Sequence, residues 1–460
     1  MVSCSTCCLG RFIATASGAA VIVNQRQLAE SVIKSLRAAG YTALLAGGCV
    51  RDLLLGRPPK DYDVATSARP EEVRALFPRA LAVGEAFGVV IVIEGQEQVE
   101  VATFRREAGY ADGRHPDAVA FTDAREDALR RDFTINGMFL DPATGEVLDY
   151  VGGRADLKAR TIRAIGDPRR RFAEDHLRLL RAVRFAAELG FEIEPATAAA
   201  VRELAEKVVL VSGERIAMEI ERILTAPPAH RRRGLELASD LGLLRVLLPE
   251  VETMRGVAQG PDVHPEGDVY THTLLCVEFL REPTFELALA GLLHDSGKPG
   301  TAMLREGRCT FYGHPELGEK IVLGVAGRLR LSTLRTRRVA WLVRQHMRLV
   351  SAEEMRTARL KRLFAEDGFE ELAELWRADA LASGGTAEAY ESLMAVYRAM
   401  GQEEVRPHPL VTGSDLIGLG LEPGPAFKAI LEEVYDAQLE GTARTKDDAL
   451  ALARKIADDR

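Results

Sequence analysis

The chain has 460 residues, of which 47% are hydrophobic and 28% charged, with a net charge of −8. These proportions belong to an ordinary soluble globular protein, and the length suits about three domains rather than one core. No run of about 18 uncharged apolar residues occurs, so no membrane-spanning helix is expected, and the six cysteines form no disulfide framework, which favours a reducing, cytoplasmic setting.

The first 22 residues are expected to be a disordered extension. They lack the basic start and continuous apolar run of a signal peptide, and Cys4 and Cys7 have no second pair to complete a zinc site. From Val23 to about residue 155, short β-type runs alternate with helical stretches. ALLAGG, DYDVAT, VVIVIEG and QVEVATF read as strands, and Gly95 suits a hairpin between the last two. From about residue 156 to 460 amphipathic helices follow one another, with breaks at 166–171, 225–230, 256–268 and near Pro407 and Pro409. The architecture is α+β, a small α/β head followed by a long helical body.

In the head, LAGGCVRDLLLG (45–56) ends a strand with Gly47 and Gly48 and opens a helix. Paired glycines let backbone approach phosphate, and a helix N-terminus favours anions. Arg51, in the first turn, can fork onto a triphosphate. Alone, such a pair is more often a tight turn. Asp61-Tyr62-Asp63 follows, and on a strand the two carboxylates share one face. Close carboxylates repel unless a cation such as Mg²⁺ sits between them. Glu100, in VEVATF, is either an exposed strand residue or a third carboxylate for a metal or proton.

Two segments are rich in arginine. Residues 154–184 hold nine Arg and one Lys against four acids, and residues 328–348 hold seven Arg and no acid. Either alone reads as a solvated helix face; beside a phosphate-handling site, RNA-backbone binding is the better expectation. Histidines gather in the helical body: His272, His294 beside Asp295 in LLHDSGK, His314 and His346, with Asp379 further on. Neighbouring His and Asp can chelate one ion only if other helices complete the shell.

LAGGCVRDLLLG with DYDVAT, RRDFTINGMFLD (130–141) and EDHLRLLRAVRFAAELGF (174–191) together resemble the class II tRNA nucleotidyltransferases and bacterial poly(A) polymerases. The resemblance runs from Val23 to the end. It implies that Asp61 and Asp63 hold catalytic Mg²⁺ and that Glu100 is the third carboxylate. It places Gly47, Gly48, Arg51 and Asp52 in the triphosphate-binding turn, and Arg131, Asp132 and Asn136 at the nucleotide sugar. A plainer role for Asp132 is to cap a helix start. The same resemblance makes Asp175 and Arg178, with Arg181 nearby, the residues that select C or A. An acceptor and a donor three apart on a helix can imitate a Watson–Crick edge. Read from spacing alone, the two form an intrahelical salt bridge.

The histidine set resembles an HD-type metal-dependent phosphohydrolase domain. There His272, His294, Asp295 and Asp379 form the metal shell, and His314 and His346 take a second ion or a phosphate. The metal is a divalent transition ion or Mg²⁺, and an HD fold kept only as scaffold is the alternative. The implied segments are an extension at 1–22, a nucleotidyltransferase head at 23–155 and a nucleotide-selecting, RNA-binding neck at 156–260. An HD-type domain at 261–400 and a C-terminal helical tail at 401–460 follow. The implied partners are tRNA, CTP and ATP, with no membrane, for a monomer or homodimer.

Within the family, REAGYADGRHPDAVAF (106–121) looks like the flexible loop of A-adding members, which disfavours CC-only addition. VGEAFGVV stands where poly(A) polymerases carry a basic stretch, which disfavours poly(A) synthesis. CCA addition is favoured over A addition. The rivals are an RNA-binding protein with an inactive polymerase head, and a protein whose main activity is the HD site.

Overall fold

The computed structural model describes residues 12–14, 20–22, 24–82, 88–108, 118–260, 267–305 and 308–459. The Cys4–Cys7 pair, residues 83–87 of VGEAFGVV and residues 109–117 of the 106–121 loop lie outside the described residues. The chain divides into two compact units, residues 1–223 with 233–247, and residues 224–232 with 248–460. Among the described residues, no helix is long and apolar enough to cross a membrane.

In the first unit, β1 (Phe12–Ala14) and β2 (Ala20–Ile22) form an antiparallel pair inside the stretch expected as an extension. Helix α1 (Gln25–Ala38) starts at a reciprocal cap between Asn24 and Gln27 and buries Leu28, Val32, Ile33 and Leu36 on one face. Next come β3 (Ala43–Ala46), α2 (Gly48–Leu54), β4 (Asp63–Thr66), α3 (Pro70–Leu76), β5 (Ala80–Ala82), β6 (Val89–Glu94) and β7 (Glu97–Thr103). β8 (Arg105–Ala108) pairs with β9 (Ala118–Phe121), and after α4 (Ala124–Leu129) come β10 (Met138–Leu140) and β11 (Val147–Asp149).

The seven-stranded sheet has the order β11-β10-β3-β4-β7-β6-β5. All its pairings are antiparallel except β4 with β7, where Asp63 lies opposite Glu100. β6 and β7 form the expected hairpin, turning at Gly95 with φ 65°. Along β7 Val99, Val101 and Thr103 are buried while Glu100 is exposed, as a two-residue side-chain period requires. The DYDVAT strand is shorter than its alternation suggests: β4 begins at Asp63, leaving Asp61 exposed on the approach.

The rest of this unit is helical: α5 (Gly153–Ala159), α6 (Pro168–Glu174), α7 (Leu177–Leu189), α8 (Pro195–Leu204) and α9 (Gly213–Leu224), with β12 (Thr161–Ile162) paired to β13 (Glu192–Ile193). Gly153 begins α5 so close to the RRDFTIN turn that a Cβ there would lie 2.3 Å from the Thr134 carbonyl and 2.8 Å from Met138 Cγ. Gly153→Ala is therefore expected to destabilise the protein by about 1–3 kcal/mol, read as a lower urea midpoint with an unchanged slope.

In the second unit, α10 (Pro228–Asp240), which crosses the division, contributes Arg231. Its fully buried guanidinium donates to the carbonyls of Ala226, Val277 and Leu280. Short α11 (Leu243–Leu247) precedes the division, and α12 (Pro249–Glu252), α13 (Val269–Phe279), α14 (Phe285–Leu293) and α15 (Lys298–Thr301) follow it. A hairpin of β14 (Met303–Arg305) and β15 (Arg308–Thr310) leads to α16 (His314–Arg328), α17 (Thr333–Gln345), α18 (Thr357–Phe364), α19 (Phe369–Ala382) and α20 (Glu388–Ala399). α14, FELALAGLL, is apolar nearly all round and buries eight of its nine residues, as a helix at the centre of a bundle must. After α21 (Gln402–Val405), helices α22 (Gly413–Gly418), α23 (Pro425–Leu439) and α24 (Lys446–Asp458) close around their own core of Val411, Leu416, Ile430, Val434, Ala449 and Ala453.

Candidate functional site

The head site is built where β3 hands over to α2. Gly47 sits at φ 73°, and a Cβ there would come 2.8 Å from Arg131 Nη1. The backbone conformation therefore favours glycine, and any side chain there would also displace the Arg131 guanidinium. On β4 and β7 the carboxylates of Asp63 and Glu100 stand opposite each other, with Asp61 just before β4. Burial, then the charge of Glu100 and Asp61, pushes Asp63 up to about 6, against the opposing pull of Arg131. Like charges crowded on a half-buried face make a site that a divalent cation relieves. These head carboxylates are not among the described groups whose ligand atoms gather within 4.8 Å.

Behind them runs a chain of polar contacts. Arg51 is buried; its Nε and Nη2 donate to Asp52 at 2.9 and 3.0 Å, and its Nη1 donates to Asn136 Oδ1 at 2.8 Å. Asn136 Nδ2 donates to Asp132 Oδ1 at 3.1 Å, and Arg181 forks onto Asp132 Oδ2 at 2.8 and 2.6 Å. Arg131 donates to Asp127 Oδ2 and to the Asn136 carbonyl. Asp132 is buried, which opposes ionisation, yet Arg181 and Asn136 hold it well below the usual carboxylate range. Its side chain accepts from the N–H of Phe133, the residue next to it, so it braces the turn and does not cap the helical segment Thr134–Asn136.

The structure corrects the expected geometry of Asp175 and Arg178. They do not share a helix: Asp175 is extended (φ −148°, ψ 107°) at the end of α6, and α7 starts only at Leu177. Nor is either the other's ion-pair partner. Asp175 is gripped by Arg215 at 2.7 and 3.2 Å. Arg178 donates to Glu174 at 2.8 Å and to the carbonyls of Arg171 and Arg130. Helix geometry at residues 175–178 is lost because the Asp175 carboxylate accepts the Leu177 N–H at 3.0 Å and opens a new helix start.

The second constellation lies in the second unit, and every expected member is in it. His272 is on α13, His294 directly follows α14 with Asp295 after it, His314 opens α16, His346 directly follows α17 and Asp379 is on α19. Two triads, His272–His294–Asp379 and Asp295–His314–His346, each bring their ligand atoms within 4.8 Å. His294, His314 and His346 all turn Nδ1 to the carbonyl three residues earlier, Gly291, Phe311 and Val343, at 2.8, 2.8 and 2.7 Å. At the ends of α14 and α17 this occupies carbonyls that a helix terminus leaves without a partner. With Nδ1–H donated, Nε2 is the atom left for a metal. His294 Nε2 is buried and has no hydrogen-bond partner.

Electrostatics bind the cluster together. Burial pushes His294 down, but Asp295 and Asp379 outweigh it and lift it to about 10. Burial pushes His346 down to about 4, with the charge of His294 adding to the effect. Asp295 and Asp379 are held well below the ordinary carboxylate range against their burial, Asp295 chiefly by His294 and Lys298 and Asp379 by His272 and His294. These carboxylates favour positive charge at His294, where a cation would sit. Sequence reasoning passed over Lys298, whose Nζ lies 2.7 Å from both Asp295 Oδ2 and Gln259 Oε1. Its position three residues after Asp295 was the available signal.

The arginine-rich segment 328–348 is less free than its composition suggests. Arg328, Arg335, Arg338, Arg344 and Arg348 each pair with a carboxylate, on Glu250, Glu286, Asp367, Glu316 and Glu366 respectively. Much of segment 154–184 is paired likewise, through Arg169–Glu203, Arg171–Glu174 and Arg184–Glu219.

Comparison with known proteins follows this division. The family "Poly A polymerase head domain" matches residues 43–163, "Probable RNA and SrmB- binding site of polymerase A" residues 190–254, and "HD domain" residues 269–382. Asp175, Arg178 and Arg181 fall between the first two. The chain is 44% identical over 218 residues to the CCA-adding enzyme of Geobacillus stearothermophilus, covering 47% of this chain and 53% of that one. The chain thus spans about half the length of the curated relatives it matches. Its fold is similar to the crystal structure of the Bacillus stearothermophilus CCA-adding enzyme in complex with CTP (TM-score 0.72, 28% identity, 95% of this chain and 99% of that one). It is also similar in fold to the Thermotoga maritima CCA-adding enzyme complexed with tRNA (TM-score 0.60, 20% identity, 94% and 96%).

Proposed function

We propose that this chain, whose segments match the poly(A) polymerase head, its RNA-binding region and an HD domain, is a class II tRNA nucleotidyltransferase that adds CCA to the 3′ end of tRNA from CTP and ATP. The observation that carries this reading is the group of carboxylates of Asp63, Glu100 and Asp61, where burial first and then the neighbouring charges lift Asp63 to about 6, beside the Gly47–Gly48 turn. The residues fit Mg²⁺, with Asp61 and Asp63 as its ligands. Bound there, Mg²⁺ supplies Lewis-acid stabilisation of charge on the transferring phosphate.

The chain's own residues orient the rest. The Gly47–Gly48 turn and the start of α2 receive the triphosphate, with Arg51 and Asp52 held beneath it by Asn136. Arg131, Asp132 and Asn136 frame the sugar. Asp175 and Arg178 offer one acceptor and one donor to the base edge, and Arg181 holds Asp132. The RNA 3′-hydroxyl attacks the α-phosphate in line, pyrophosphate leaves, and Glu100 is placed to take the hydroxyl proton or to complete the carboxylate set.

The second unit is proposed to hydrolyse phosphoesters. His272, His294, Asp295 and Asp379 fit a divalent transition ion or Mg²⁺, because the buried Nε2 of His294 has no hydrogen-bond partner. The ion would supply an activated water at neutral pH. His314 and His346 are the residues for a second ion or the phosphate. The segment boundaries at 155, 260 and 400, a cytoplasmic location and a monomeric or homodimeric state belong to the same proposal.

The test uses two tRNA substrates, one ending at the discriminator base and one ending in CC, each with CTP alone, ATP alone or both. The expected result is C on the first substrate, A on the second, and full CCA with both nucleotides. Incorporation of A alone, and only on the CC-ended substrate, would replace this reading with A addition. No incorporation at all would leave an RNA-binding protein with an inactive head.

A further inference from the structure

We infer that Gln259, which lies outside the histidine and aspartate set, donates its side-chain amide to an oxygen of the phosphate that the second unit's cluster takes. The inference rests on the reading of that cluster as a phosphoester site.

The segment carrying Gln259 is tied to the helix that carries His272. Asp268 caps α13 by accepting the Thr271 N–H at 2.8 Å, and its other oxygen accepts the Gly256 N–H. Ala258 forms an antiparallel bridge with Asp268, and the Val269 N–H donates to the Val257 carbonyl at 3.1 Å. Gln259 itself is buried, with 6% of its surface exposed. Its Oε1 accepts from Lys298 Nζ at 2.7 Å, and the same Nζ lies 2.7 Å from Asp295 Oδ2. One ammonium thus joins Gln259 to the aspartate that touches both triads, and the amide sits within about three hydrogen-bond lengths of that carboxylate.

Lysine only donates, so it settles which way the Gln259 amide faces: Oε1 meets Nζ, and Nε2 points away. Nε2 is buried and has no hydrogen-bond partner among the described residues. An amide nitrogen carries two N–H donors, and burying both bare is costly. Such a group marks a place where an acceptor arrives. The donors of the cluster named so far are committed elsewhere. The Lys298 ammonium is shared by Asp295 and Gln259 and lies 5.4 Å from the centre of the Phe311 ring. His294, His314 and His346 turn Nδ1 to backbone carbonyls, which leaves their Nε2 for a metal. The carboxylates only accept. A phosphate brings oxygens that need N–H donors as well as a cation, and the Gln259 amide is a donor left uncommitted beside the cluster.

The experiment titrates inorganic phosphate into the Mn²⁺-loaded full-length protein by calorimetry, and follows hydrolysis of p-nitrophenyl phosphate and bis(p-nitrophenyl) phosphate. The wild type is compared with Gln259→Glu and Gln259→Ala, and with Asp295→Asn, which identifies the part of the binding that belongs to the cluster and not to the head. Gln259→Glu still accepts from Lys298 but turns a second acceptor toward the phosphate, so it should weaken that binding by about 10-fold or more. Gln259→Ala should weaken it by about 3- to 10-fold; Gln259→Glu, which keeps the bond to Lys298, decides the matter if the alanine variant does not fold. KM for the hydrolysed ester should rise while kcat changes less. Mn²⁺ content, melting temperature and nucleotide incorporation by the head should stay near wild type in Gln259→Glu. If both variants bind phosphate as the wild type does, or lower kcat alone, the amide does not hold the phosphate and the inference fails. It fails equally if they lose Mn²⁺, or if the wild type shows no phosphate binding that depends on Asp295. If phosphate binding depends on both Asp295 and Gln259 while neither ester is hydrolysed, the hydrolase reading falls and the phosphate contact stands.

Discussion

Replacing Asp63 by asparagine is expected to lower nucleotide incorporation by about 10³-fold or more while leaving the protein equally or more stable in EDTA. The two halves of this expectation have one cause. Asp63 is pushed up to about 6 from an ordinary value of 3.8, by burial first and then by Glu100 and Asp61. Between these two values the folded protein holds a proton that the unfolded chain has released, so stability falls as pH rises through the window and the loss is complete above it. The cost is on the order of 3 kcal/mol. Asparagine fills nearly the same volume without the charge. Thermal melts in EDTA from pH 4 to 8 should show the wild type falling behind the variant above pH 6. Added Mg²⁺ should raise the wild-type melting temperature more than that of the variant, which keeps only the second-unit cluster as a place for the ion. A variant that still incorporates nucleotides at the wild-type rate would remove Asp63 from the chemistry.

What could be read from the sequence was mostly what is local. VEVATF was legible as a strand, though whether Glu100 on it was exposed or a third carboxylate was left open, and the glycine pair before α2 marked the turn where Gly47 adopts φ 73°. Register was not legible: that Glu100 faces Asp63 depends on the one parallel pairing of the sheet, closed by a crossover through α3, β5 and β6. The Asp175–Arg178 spacing misled, because a helical period assumes the helix continues, whereas the Asp175 side chain bonds the Leu177 N–H and breaks it. Its real partner, Arg215, is 40 residues on, beyond the reach of any local pattern. In the arginine run 328–348 the paired acids lie outside the run, as Glu250 does from Arg328, 78 residues apart, so its one-sided composition hides a set of ion pairs.

The HD cluster was legible as a list of residues, and the structure adds which member carries the most. Asp295 touches both triads: its carboxylate lies 3.3 Å from His294, 3.7 Å from His272, 3.5 Å from His314 and 3.9 Å from His346, and 2.7 Å from Lys298. Asp295→Ala should therefore empty the site of metal, measured as the ion content of the purified protein, and reduce phosphoester hydrolysis by about 10³-fold or more. It also leaves the buried Lys298 ammonium without its carboxylate, which should cost about 3–5 kcal/mol. Replacing Asp295 and Lys298 together, by asparagine and methionine, should recover most of that stability but none of the metal. Nucleotide incorporation by the head should persist in every one of these variants that folds. If Asp295→Ala kept its metal, the ion would have to rest on His272, His294 and Asp379 alone. The shared position of Asp295 would then be an ion pair with Lys298 and nothing more. If hydrolysis were absent from the wild type while metal was bound, the cluster would be scaffold, its ion serving to cross-link α13, α14 and α19.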